Sequence, residues 1–182
     1  WKRSIFTDSG GFQILSMKET FLKEISDDGL KFKSPFDGKD EFLTPKKTME
    51  IEMSLGSDVA MCLDHMPLYS TSKEEIQIAT KRTHKWAKEC IKSHTDKTQL
   101  LFAIAQGGIY KDLRVKSVKT LNKMKFDGIA LGGLCIGESK QDMYNMIKSS
   151  VPYIDKNKAR YLMGVGSPAD ILECISMGCL LY

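Results

Sequence analysis

The chain has 182 residues, 42% of them hydrophobic, enough for one domain with a substantial core, which excludes a disordered or fibrous protein. A formal charge of +4 suits an acidic partner such as RNA but is common among soluble enzymes, so charge alone selects no function. Five cysteines without a C-x-x-C pair, no apolar run long enough to cross a bilayer and no signal peptide argue against a disulfide scaffold, a zinc-ligand spacing and a membrane protein.

In chain order, the first feature is an apolar run over Ser4–Thr7 that reads as a buried strand. Asp8-Ser9-Gly10-Gly11-Phe12-Gln13 follows it, a carboxylate and a hydroxyl beside two glycines that let a ligand approach the backbone. Such a carboxylate can accept hydrogen bonds or exchange a proton. Taken by itself the stretch reads equally as a solvated turn. Gly29–Phe42, with Pro35-Phe36-Asp37-Gly38 at its centre, reads as a β-hairpin insertion (about residues 29–43) turning at Asp37-Gly38. Thr44 caps a helix that begins with Pro45 and runs to about Leu55.

The second strand, Asp58–Leu63, ends at Asp64. The clearest helix runs from Lys73 to Ser93, opened by Ser72 and Glu75 at capping-box spacing and carrying an inward stripe of Ile76, Ala79, Thr83, Ala87, Cys90 and Ile91. Strands over Leu100–Ala105, Gly128–Leu131 and Arg160–Met163 lead into Gln106-Gly107-Gly108, Gly132-Gly133 and Gly164-Val165-Gly166. Helices are expected over about Lys111–Lys123, Lys140–Ser149 and Pro168–Met177. Lys111, Lys116, Lys119, Lys123 and Lys125 fall on or near the first of these and read as a solvated face. Cys62 and Cys135, inside apolar runs, are expected in buried strands as free thiols, which fits a reducing cytoplasm.

Strand alternating with helix indicates a single α/β domain over residues 1–182 with a parallel sheet. Ligand chemistry in such folds sits at the carboxyl ends of the strands. Asp8, Asp64, Gln106 and three glycine turns stand there. Only Gly164–Ser167, leading into Pro168 and its helix, offers a phosphate cradle. The remainder suits a flat, polar, uncharged ligand.

Six stretches then name a family. DSGGFQ (Asp8–Gln13), F-x-S-P-x-D-G-x-x-x-x-L-T-P (Phe32–Pro45), LGSDVAMCLD (Leu55–Asp64), FAIAQGG (Phe102–Gly108), ALGGLCIGE (Ala130–Glu138) and YLMGVGSPADILE (Tyr161–Glu173) resemble tRNA-guanine transglycosylase, also called queuine tRNA-ribosyltransferase. The resemblance implies the middle of a TIM (β/α)8 barrel, lacking N-terminal strands and a C-terminal zinc subdomain. It further implies exchange of guanine at the tRNA wobble position, in GUN anticodons, for a 7-deazaguanine of the queuosine pathway. A cytoplasmic pentosyltransferase, a homodimer when complete and a structural zinc are implied as well, with no metal ligands in this chain.

Residue by residue, the resemblance makes Asp8 the proton acceptor and donor, with Ser9, Gly10, Gly11 and Phe12 at the base. Asp64 reads the Watson–Crick edge, because a carboxylate can accept from N1–H and the 2-amino group together. Gln106 and the Gly133 N–H donate to the carbonyl of the base, while Gly132 and Leu134 border it and Phe12 and Met163 sandwich it. Ile136, where eukaryotic members carry glycine, and Glu138, able to meet an aminomethyl cation, favour 7-aminomethyl-7-deazaguanine over queuine. His65-Met66 departs from the Glu-Cys pair of bacterial members. Gly164, Val165, Gly166, Ser167, Pro168, Ala169 and Asp170 match a segment that contacts tRNA.

After Gly178 the family continues toward Asp-Met-Phe-Asp, whose last residue is the nucleophile, whereas this chain reads Cys179-Leu180-Leu181-Tyr182. Residues 1–182 alone are therefore expected to be inactive and poorly stable, with unpaired sheet edges, and the last four residues foreign to the family. The alternatives are a catalytically dead tRNA-binding accessory subunit and, outside the family, a barrel enzyme holding a phosphorylated metabolite at Gly164–Ser167. The latter explains one motif of the six.

Overall fold

Alternating apolar runs and capped amphipathic stretches fold in chain order as β1 (Phe6–Thr7), α1 (Gly11–Ser16), β2 (Leu22–Ile25), β3 (Leu30–Lys33), β4 (Asp40–Leu43), α2 (Pro45–Leu55), β5 (Val59–Met61) and α3 (Lys73–Ser93). They continue as β6 (Leu100–Ala105), α4 (Lys111–Asn122), β7 (Gly128–Leu131), α5 (Lys140–Ser150), a short 3-10 turn at Val151–Tyr153, β8 (Ala159–Leu162) and α6 (Pro168–Ser176). The structure, a computed structural model, describes residues 2–17 and 19–182.

β1, β5, β6, β7 and β8 lie side by side in that order, all parallel, and curl as part of a barrel wall. Their side chains alternate between two layers, as the two-residue period of a strand requires. Ala60, Leu101, Ala103, Ala105, Ile129, Leu131 and Leu162 face the helices, where they meet Trp86, Val118, Leu121 and Ile147. Val59, Met61, Phe102, Ile104 and Ala130 face the concave side, joined by Tyr161 and Met163. The curl is tight enough for Phe6 of β1 to touch Tyr161 of β8, ring centroids 5.9 Å apart, although three strands lie between them. Phe6 also meets Phe102 edge-on at 5.9 Å. After α6 the rhythm continues, because Leu181 pairs in parallel with Tyr161 beside β8.

Helix starts follow the expected chemistry. Thr44 accepts from the Lys47 N–H with Pro45 leading α2, and Ser72 and Glu75 form the full capping box of α3. The stripe of α3 is wider than expected: Thr80 and Trp86 are buried as well, the indole N–H donating to the Asp27 carbonyl at 2.8 Å.

Three readings of the sequence are corrected. The strand expected to be buried over Ser4–Thr7 shrinks to Phe6–Thr7 and is partly exposed at Phe6, because β1 is an edge of the sheet and pairs with β5 alone. The hairpin turning at Asp37-Gly38 forms, but β2 joins it as a third strand. β2 escaped notice because its central Lys23-Glu24 are exposed and leave no apolar run. Cys135 is exposed at φ 62° in the loop after β7 instead of inside a strand, whereas Cys62 is buried just beyond β5.

Candidate active site

A cleft of about 250 Å³ opens at the carboxyl ends of the parallel strands. Asp8, Phe12, Asp64, Met66, Ile104, Gly132, Leu134, Cys135, Ile136, Tyr161, Met163 and Gly164 line it. Carboxylates leave β1 and β5, a glycine turn leaves β7 and a thioether leaves β8, so the parallel sheet delivers these groups to one place.

Asp8 stands at the mouth. Its Oδ1 accepts the Ser9 N–H at 2.8 Å. Surrounding protein raises its pKa, and the Ser9 hydrogen bond partly offsets that. Ser9 is buried and its hydroxyl accepts the Gly11 N–H at 3.4 Å, shaping the entry to α1. A side chain at Gly11 would come within 3.0 Å of Leu63 Cδ1 and 3.2 Å of the Asp64 carbonyl, so the glycine lets α1 lie against the β5 turn. Phe12, on α1, is half exposed along the cleft.

Asp64 is buried, and its Oδ2 accepts from Gln106 Nε2 at 2.6 Å. Burial pushes its pKa to about 7, the Gln106 hydrogen bond opposes the rise and the negative charge of Asp8 adds to it. The other carboxamide atom, Gln106 Oε1, is buried without a hydrogen-bond partner among the described residues. An amide committed to a carboxylate on one side and unsatisfied on the other is an unfinished polar contact.

Gly133 closes the slot behind Gln106. It sits at φ 62°, and a Cβ there would overlap Gln106 Oε1. Leu134, Cys135 and Ile136 then pass along the cleft. Glu138 does not line the cleft but folds back, accepting the Cys135 N–H and, at 3.0 Å, the Ile136 N–H. Beneath both glycine turns, Arg114 of α4 gives four hydrogen bonds to carbonyls of Ala105, Gly108, Gly132 and Gly133.

On the far side, Met163 and Gly164 border the cleft, while Gly166, Ser167, Pro168 and Ala169 are exposed beyond it and Val165 is buried. Ser167 caps α6. Asp170 is turned inward onto Lys140, Tyr144 and Ser167, and these hydrogen bonds, led by Ser167, hold its pKa at about 2. It joins α5 to α6.

Below Asp8 lies a buried polar floor. Thr7 hydrogen-bonds Glu52 and lies 2.6 Å from the Ser57 hydroxyl, and Gln99 Nε2 donates to the Ser57 and Glu52 carbonyls. Burial raises the Glu52 pKa to about 7, against the Thr7 hydrogen bond and with a contribution from Asp8.

Met66, Ile104 and Tyr161 line the cleft without having been anticipated there, and Cys135 lines it beside Ile136. The first three were readable: Met66 is two residues beyond Asp64, Ile104 two before Gln106 and Tyr161 two before Met163, and strand-like alternation puts i and i+2 on one face. His65 turns away instead, its Nδ1 at 3.1 Å from Arg82 Nη1, and burial followed by that cation lowers its pKa to about 4.

The order of these residues along the chain is a family signature. A sequence profile described as Queuine tRNA-ribosyltransferase matches residues 1–181. This chain belongs to the queuine tRNA-ribosyltransferase family. Similar relatives carrying that name are 45% identical in Pelotomaculum thermopropionicum and in Thermotoga maritima and 43% identical in Halothermothrix orenii, each over all 182 residues. Those alignments cover 49%, 48% and 48% of the relatives, so the chain spans about half the length of the curated relatives it matches. The family match runs through residue 181 and the relatives align over all 182 residues, so the closing segment, expected to be foreign to the family, lies inside the matched region, where Leu181 pairs with β8.

Zinc is implied by the family resemblance, but among the described residues no group of three or more His, Cys, Asp or Glu side chains could hold a metal ion. No helix among the described residues is long and apolar enough to cross a membrane.

Proposed function

We propose that the complete protein carrying these residues exchanges guanine at the wobble position of tRNAs with a GUN anticodon for a 7-deazaguanine in queuosine formation. What supports this most is Asp64 tied to Gln106 at 2.6 Å in the same cleft as Asp8. That pair offers acceptors and donors side by side, with a second carboxylate in the same cleft for proton transfer.

In this reading a purine ring lies between Phe12 and Met163, with stacking worth about 1–3 kcal/mol. Ionised Asp64 accepts from N1–H and the 2-amino group. The second proton of the Gln106 amide and the Gly133 N–H donate to the carbonyl of the base. As the bond from ribose C1′ to the purine nitrogen breaks, a carboxylate nucleophile takes the sugar covalently through an oxocarbenium-like transition state. Asp8 gives its proton to the departing base and recovers one from the incoming base. Its raised pKa suits both halves of that cycle.

The nucleophile is the carboxylate that the family motif places just beyond Tyr182. Residues 1–182 alone are thus expected to exchange no guanine. Ile136, at the edge of the cleft, favours 7-aminomethyl-7-deazaguanine over queuine by limiting space near the 7-substituent. The exposed Gly166–Ala169 turn takes tRNA backbone at the start of α6. A homodimer, a structural zinc outside these residues and a cytoplasmic setting complete the proposal.

Incorporation of labelled guanine into unmodified tRNA by the complete gene product tests the reading. Exchange is expected for the wild type and loss of at least about a hundredfold for Asp8→Asn. No exchange by the wild type, or full activity in Asp8→Asn, sinks it.

A further inference from the structure

Arg114 is fully buried, and burial lowers its pKa to about 10 while the charge of Glu138, which makes no direct ion pair with it among the described residues, opposes that fall. All its hydrogen bonds go to main-chain carbonyls: Nε to Gly108 at 2.7 Å, Nη1 to Ala105 at 3.0 Å and Gly132 at 2.6 Å, and Nη2 to Gly133 at 2.8 Å. A buried charge without a carboxylate in contact is costly, and a well-packed apolar side chain would fill the same space at least as favourably. Packing alone therefore does not explain an arginine here.

A guanidinium fork can do what a methionine or leucine cannot, namely fix the direction of several peptide groups at once. The groups it holds belong to the two glycine turns that flank the base slot, after β6 and after β7. Glycine turns are the least self-determined backbone in a chain. Gly107 packs so closely on α4 that a Cβ there would sit 2.7 Å from the Arg114 backbone nitrogen, so helix and turn are mated at this point.

Peptide planarity carries the effect into the cleft. In a planar trans peptide the C=O and the next N–H point in opposite directions. Holding the Gly132 carbonyl against the guanidinium turns the Gly133 N–H away from it, and holding the Gly133 carbonyl does the same for the Leu134 N–H. Gly132 and Leu134 both line the cleft. Ala105 and Gly108, also held, bracket Gln106, whose carboxamide lies against Gly132 and Gly133.

We propose that Arg114 is the positioning residue of base recognition, presetting the Gly133 N–H and the Gln106 carboxamide as paired donors for the carbonyl of the base without touching the base itself. The inference rests on reading the cleft as a guanine slot. Lysine keeps the charge at this position but loses the fork and most of the simultaneous bonds.

The test is Arg114→Lys in the complete gene product, with guanine and unmodified tRNA as substrates. The expected result is a rise of about tenfold or more in KM for guanine, with KM for tRNA unchanged. A fall in kcat with both KM values unchanged, or no change at all, overturns the assignment and leaves Arg114 a structural residue. If the lysine variant does not fold, the arginine Nε–H resonance of the wild type decides. Addition of guanine is expected to shift it, and an unmoved resonance in protein saturated with guanine overturns the proposal. A wild type that binds no guanine removes the guanine slot itself and this inference with it, whereas guanine binding with an unperturbed Arg114 removes the inference alone.

Discussion

Gln106 Nε2 donates to Asp64 Oδ2 across 2.6 Å, joining the turn after β6 to the turn after β5 inside the cleft. The bond holds both side chains in place, and it opposes the effect of burial on the Asp64 pKa. Burial lifts the Asp64 pKa to about 7. Only the ionised carboxylate can accept two hydrogen bonds from guanine, so affinity is expected to climb as pH rises through about 7 and then level off. Calorimetric titration with guanine at several pH values checks this, and a flat profile from pH about 5.5 to about 8.5 counts against Asp64 as the reader of the base. Asp64→Asn should weaken binding by about 2 kcal/mol or more, since at least one buried hydrogen bond is replaced by a mismatched donor.

Stability should move the opposite way with pH. Glu52 and Asp64 both have folded-state pKa values near 7, above their ordinary values, so the folded chain retains protons that the unfolded chain releases. Their stabilising contribution is complete below about pH 4 and is lost as pH rises through about 7. Glu52→Gln keeps a hydrogen-bonding partner for Thr7 while removing the titration. It is expected to stabilise the protein at pH about 8 by about 1–3 kcal/mol and to flatten this part of the stability curve. Denaturant melts at two pH values supply the comparison; an unchanged slope in the variant shows that Glu52 ionises freely.

Ile136 borders the cleft next to the exposed Cys135. Replacing Ile136 by glycine should open the space near the 7-substituent and admit queuine, changing the ratio of kcat/KM values for the two bases by about tenfold to a hundredfold. Competition between queuine and 7-aminomethyl-7-deazaguanine measures that ratio. Unaltered selectivity would locate the discrimination elsewhere, with Met66 the next residue to examine because it too lines the cleft.

At Gly133 the backbone is left-handed and the space for a Cβ is taken by Gln106 Oε1. Gly133→Ala is therefore expected to displace the carboxamide and abolish guanine binding, with a loss of about 1–3 kcal/mol in folding stability. Parallel calorimetry and thermal unfolding separate the two effects. Full guanine affinity in the alanine variant would show that Gln106 plays no part in holding the base.

Much of this arrangement could be read along the chain, and the reasons are local. Ser72 with Glu75, and Thr44 with Pro45, specify helix starts through contacts within four residues, and both helices begin where the pattern placed them. Strand β6 is apolar throughout and buried from Leu101 to Ala105, so its limits are those of its apolar run. Contacts between distant segments were not legible. Arg114 looks like a solvated residue in a lysine-rich helix until α4 is laid under the turns of β6 and β7. Glu138 reads as a free carboxylate facing a ligand, but the backbone of its own loop claims it. Asp170 reads as part of an exposed turn, but α5 supplies two partners that no local pattern reveals.

The contact between Phe6 and Tyr161 acts as a spacer one layer below Asp8 and Met163. Asp8 lies two residues past the first ring and Met163 two residues past the second, so the separation of the acid from the thioether is inherited from how closely two aromatic edges can approach. Trimming either ring would let the ends of the curved wall drift, and the gap between Asp8 and Met163 would lose its gauge even with every polar group still in place.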